Sequence, residues 1–137
     1  MIKKALFIAL TGFILLGCNN EKQQEKALLD QVIKVHDKVM AADEVVMKDK
    51  NQLIVLSKTD TTAVAKDSIA HYVNLLAVAD DTMMNWMNNF NPDFTGKSHT
   101  EIMNYLGKQQ QQVTKIDTKL DSIVSVSNQY LLKIKAK

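Results

Sequence analysis

The chain has 137 residues, 46% of them hydrophobic and 6% aromatic, with 17 lysines against 15 acidic residues and no arginine. That length suits one domain with a modest core. The lack of arginine, and of any lysine run long enough to track a phosphate backbone, argues against nucleic acid as a partner, and a single cysteine allows no disulfide within the chain.

The chain begins "MIKKALFIALTGFILLGCNN". Lys3 and Lys4 form a basic start, Ala5 to Leu16 a short apolar run, and Gly17 a small residue at the cut, which is the layout of a secretory signal. The run falls short of the roughly 20 apolar residues that cross a bilayer as a helix, so residues 1–17 are expected to be removed. "LLGC", Leu15 to Cys18, resembles the bacterial lipobox, although Leu16 is larger than the residue usual there. The resemblance implies a covalent lipid on the Cys18 sulfur and membrane attachment through its acyl chains. It also removes the only thiol from nucleophilic or metal chemistry. Loss of Lys3 and Lys4 brings the 17 lysines down to 15, equal to the 15 acidic residues, so the net positive charge belongs to the precursor.

Residues 18–26 include "NNEKQQEK", polar and without apolar periodicity, and read as a lipidated tether merging into the first helix. Residues 27–137 read as one all-α domain. The first helix is predicted at about 24–57, where Leu28, Val32, Val35, Val39, Ala42, Val46, Leu53 and Leu56 recur in steps of four and three as a coiled-coil-like seam. Asp49 interrupts that seam. A second row, Leu29, Ile33, His36, Met40, Asp43, Met47, Lys50 and Ile54, widens the apolar face enough to meet two neighbours. "SKTDTT", Ser57 to Thr62, ends the pattern, with Asp60 or Thr61 as the expected N-cap of the next helix.

The second helix is predicted at about 62–90 on Ile69, Tyr72, Leu76, Ala79, Met83, Trp86 and Phe90. Met87 borders this row and Met84 lies off it. Pro92 disfavours helix at Asn91, and Gly96 suits a turn. The third helix is predicted at about 99–135, opened by a Ser98/Glu101 capping box and carrying Ile102, Leu106, Gln109, Val113, Ile116, Leu120, Ile123, Ser127, Tyr130 and Ile134 on its seam. Short connections imply three long antiparallel helices in an up-down-up bundle.

"VIKVHDKVM" (Val32 to Met40), "ADDTMMNWMNNF" (Ala79 to Phe90) and "YLGKQQQQV" (Tyr105 to Val113) resemble segments of a family of small helical lipoproteins of Bacteroidota-type bacteria, often labelled viral A-type inclusion protein. The resemblance covers most of the chain after Cys18. It implies helical architecture and an envelope location only.

Folding the first two helices about residue 60 places His36, Asp37 and Met40 in one layer with Asp80, Asp81, Met83, Met84 and Met87. Imidazole and thioether donors suit the soft ion Cu(I), which makes His36, Met40, Met83 and Met87 a candidate set, with Trp86 able to cap a cation through its ring face. The competing reading makes the methionines core filling and His36 a ring hydrogen-bonded to a carboxylate such as Asp80. His and Met could also hold haem axially, but continuous seams leave little room for a macrocycle. His71 and His99 are expected in solvent. No nucleophile elbow, zinc-protease helix or phosphate-cradling glycine loop occurs.

The sequence therefore favours a non-enzymatic, lipid-anchored interaction or scaffold module in the cell envelope. Asn19 after the cysteine, in place of the aspartate that retains enteric lipoproteins at the inner membrane, favours a periplasm-facing outer-membrane anchor and an envelope protein partner. The alternative is a periplasmic Cu(I)-binding or metal-buffering lipoprotein. Neither oligomeric state nor leaflet is legible.

Overall fold

The structure, a computed structural model, describes residues 15–59 and 62–136, with side chains of the first helix described from Asn20 onward. The apolar core of the leader, the expected cap at Asp60 or Thr61 and the Cys18 side chain fall outside what is described. Three helices account for the fold: α1 (Leu15–Thr59), α2 (Ala63–Asn89) and α3 (His99–Lys135), with no strand among the described residues. They form an all-α, up-down-up bundle in which each helix packs against the other two. No helix of the described residues is long and apolar enough to cross a membrane.

Sequence spacing explains the packing. On α1, Val32, Val39, Val46 and Leu53 repeat every seven residues and all four are fully buried. On α3 Leu106, Val113, Leu120 and Ser127 do the same, and on α2 Ile69, Leu76 and Met83. A seven-residue repeat keeps one stripe facing its partners as the helices wind together. Leu131 is buried between Tyr130 and Ile134, so the end of α3 turns a different residue inward from those expected.

The connections were largely legible. Ser98 and Glu101 form the expected capping box, with the Glu101 carboxylate accepting from Ser98 N at 2.8 Å. Residues Asn91 to Lys97 close as successive tight turns. Asn91 Oδ1 accepts from Asp93 N and Asp93 Oδ1 from Thr95 N, each at 2.9 Å, and Gly96 takes φ 76°, a conformation that favours glycine. The observed N-cap of α2 is Thr62, whose hydroxyl accepts from Ala65 N.

α1 begins earlier than predicted, at Leu15 rather than about residue 24. The polar stretch has no apolar row to read, yet Glu, Gln and Lys are good helix formers and simply extend the last buried turn. That turn ends in Glu25, seven residues before Val32 and itself buried.

The two interfaces of α1 differ. Toward α3 it is laced by polar links: Gln31 with Gln110 at 2.7 Å, Lys38 with both Asp117 and Asp121, and Gln52 with Lys135 at 2.6 Å. The two carboxylates hold the Lys38 ammonium above its ordinary pKa, mainly through hydrogen bonds, Asp117 first. Toward α2 the polar links among the described residues are few, chiefly Lys50–Asp80 at 3.8 Å and His36–Met87.

Candidate functional site

His36 lies on α1 one turn past Val32, on the side that faces α2. Its Nδ1 stands 3.0 Å from Asp37 Oδ1 and its Nε2 3.3 Å from Met87 Sδ. The ring is tilted 37° to that of Trp86, with centroids 6.0 Å apart. Trp86 is 8% exposed and stacks on Phe90 at 5.2 Å. Phe90 in turn stacks on Tyr105 at 6.1 Å, and the Tyr105 hydroxyl accepts from Asn91 N at 2.8 Å. Lys97 covers this end, its ammonium 5.3 Å from the Tyr105 ring centre. The stretch "MMNWM" therefore serves two purposes: Met83 and Trp86 fill the core, while Met87 and Met84 face the α1 side and its solvent edge.

Of the candidate set His36, Met40, Met83 and Met87, the structure brings His36 and Met87 into contact. Met83 is buried in the core seam, and Met40, one turn along α1 from His36, is half-exposed on the rim. Met84, outside the predicted set, is 46% exposed on α2. Because α1 and α2 run antiparallel with His36 opposite Met87, Met84 comes level with Met40. Its place off the α2 core row was the available signal. No group of three or more His, Cys, Asp or Glu poised for a metal occurs among the described residues.

Two expectations are corrected. Asp80 is not the partner of His36; it faces Lys50 across the α1–α2 interface at 3.8 Å. Its charge, after burial itself, raises the pKa of nearby Asp43, with Lys50 opposing. The expected register turned about residue 60, whereas α1 ends at Thr59 and α2 starts at Ala63, so the pairing slides by most of a turn and delivers Met87 to His36. His99 is not free in solvent either: three quarters of its side chain is covered. Its Nδ1 donates to buried Glu25 Oε1 at 3.0 Å, and that bond, more than the nearby Lys22 charge, holds the Glu25 carboxyl below its ordinary pKa. His71 is exposed as expected, edge-on to Tyr72.

A second feature runs along the same side of α1. Ile33, Met40, Met47 and Ile54 repeat every seven residues and are each 37 to 43% exposed. Exposed Asp30, Asp37, Glu44 and Asn51 flank them on the outer side. The stripe borders the α1–α2 groove, and Met84 extends it onto α2.

Comparison of the chain with family models, with curated proteins and with solved structures gives no match.

Proposed function

We propose that the protein is a lipid-anchored helical bundle of the bacterial cell envelope, tethered to the outer membrane through Cys18 and acting without catalysis as an interaction or scaffold module. The observation that carries the interaction role is the half-exposed stripe Ile33, Met40, Met47 and Ile54, continued by Met84. Scattered apolar residues on a surface need no explanation, but a contiguous row with a charged border is the pattern of a protein-binding face. Its seven-residue spacing matches the groove between two helices, so it offers a helical partner a ready seam. Methionine, flexible and polarisable, adapts to such a partner.

The anchor rests on the lipobox-like Leu15–Cys18 and the basic, apolar leader before it. Two or three acyl chains would make attachment stable and leave the bundle facing the periplasm. The resemblance to small helical envelope lipoproteins supports the same placement.

A single experiment in the native host addresses both parts. Cells fed a labelled fatty acid should yield the label on the wild-type chain and none on Cys18→Ser. Envelope crosslinking should give a discrete adduct that Met40→Lys/Met47→Lys loses while the protein stays folded and acylated. An unlabelled wild-type chain in the soluble fraction refutes the anchor, and an adduct indifferent to the double substitution refutes the stripe.

A further inference from the structure

Beyond the interaction role, with whose stripe it shares the rim residues Met40 and Met84, we infer that His36 and Met87 form the core of a soft monovalent metal site, of the Cu(I) or Ag(I) class, at the α1–α2 groove. Asp37 Oδ1, 3.0 Å from His36 Nδ1, is a carboxylate oxygen that accepts, so Nδ1 carries the hydrogen. In the neutral ring Nε2 then presents a lone pair. What it faces, at 3.3 Å, is Met87 Sδ, which has no hydrogen to give. Two electron-pair donors converge with nothing between them, an arrangement that either a second ring proton or a soft cation resolves.

The separation fits the cation. Taking zinc's bonds of about 2.0 Å to imidazole and about 2.3 Å to sulfur as a guide, two donors on one ion stand a little over 3 Å apart when the angle between them is near 100°. The donor types select the ion, because a thioether with a neutral imidazole suits a soft d¹⁰ monovalent cation and ranks poorly for hard divalent ones. Asp37 supplies the outer hydrogen bond that ligating histidines usually make, fixing the tautomer and making Nε2 a better donor.

The surroundings match. The Trp86 ring lies beside the imidazole, placed to offer a π face to a bound cation. The His36 side chain is 31% exposed, which opens a path from solvent. Met40 and Met84, both on the rim at the next level, are flexible thioethers within the same groove and supply the additional donors. Met83, sealed in the core seam, does not take part.

The test uses the full chain in mild detergent with Cys18→Ser, so that a free thiol does not compete. Titration with Ag(I), and with Cu(I) against a competing chelator, should show one equivalent bound tighter than about micromolar, with quenching of the single tryptophan and a shift of the His36 Nε2 nitrogen resonance. Met87→Leu, a near-isosteric change that cores tolerate, and His36→Gln should each weaken binding at least about tenfold while helicity and melting stay near the parent's. Met103→Leu, on α3 two heptads before the Asp117 that pairs with α1 and so away from the α1–α2 groove, should leave binding intact. Absence of binding tighter than micromolar overturns the proposal, as does binding that Met87→Leu and His36→Gln leave unchanged or a Nε2 resonance that does not move.

Discussion

Trp86 on α2 and Asp49 on α1 are both buried, at 8 and 2% exposure, and each strands a polar atom, the indole N–H in one case and a carboxylate oxygen in the other. Their balance is nonetheless opposite. An unpaired indole N–H costs on the order of 1 to 3 kcal/mol, but Trp86 also removes a large aromatic surface from water and stacks on Phe90. Asp49 brings little apolar surface and a charge. Links between residues 79 to 83 positions apart on α1 and α3 place Asp49 within about a turn of Ser127, fully buried and likewise unpaired. One level of the bundle is thus held by bulk and the other by neighbours that tolerate two isolated oxygens.

The largest expected effect follows from the first level. Trp86→Ala should destabilise the bundle by about 3 to 5 kcal/mol, the usual loss for a large aromatic truncated in a core, read from urea or thermal unfolding. A change below about 1 kcal/mol would mean that this level carries little of the stability and would undo the contrast. The second level should respond in the other direction. Asp49→Leu continues the seam of Val46 and Leu53 and removes a buried carboxylate, and should stabilise by about 1 to 3 kcal/mol; a loss of stability would show that Asp49 is satisfied in solution by a partner worth more than its desolvation. Ser127→Ala, at the same level and uncharged, should gain up to about 1 kcal/mol, smaller than Asp49→Leu in the same assay.

The same contrast separates what the sequence could say from what it could not. Helix existence, the seven-residue rows, the burial of Trp86 and Met83 and the Ser98 cap were legible because they depend on local spacing. The partner of His36 was not, since it depends on where the α1–α2 turn is centred, and an error of a few residues moves a side chain by most of a turn around the facing helix. Asp49 was read as a gap in the seam, yet its neighbours Val46 and Leu53 pull it inside regardless of its polarity. Glu25 was hidden in a polar stretch, although its place seven residues before Val32 marked it as the next buried position, and with it the partner of His99. Of the candidate metal set, spacing put His36 and Met40 on one face, Met83 on the α2 seam and Met87 at its border, but only the register shows that Met87 meets the imidazole.

The smallest effect, and the finest test of the contrast, is in acid. Burial raises the Asp49 pKa, with Lys48 and Lys135 opposing. As pH falls toward the ordinary carboxylate range near 4, the folded chain takes up this proton before the unfolded one does, so Asp49 makes the bundle more stable on mild acidification. Asp43 acts in the same direction through burial and the Asp80 charge. Glu25 acts oppositely, because the His99 hydrogen bond lowers its pKa. The unfolded chain then binds the proton first, and stability falls as pH drops from the ordinary glutamate range through the lower folded value. Glu101, lowered by its capping-box bonds with Ser98, adds to that loss. Comparing each variant with wild type isolates Asp49 as a single group and Glu25 together with its hydrogen-bonded partner His99. Asp49→Asn should remove part of the gain seen above about pH 4 and leave the steep loss below it, whereas Glu25→Gln should make that loss shallower and leave the gain. If the two variants shift the same limb of the profile, the paired Glu25 and the unpaired Asp49 share one environment, contrary to their hydrogen bonding.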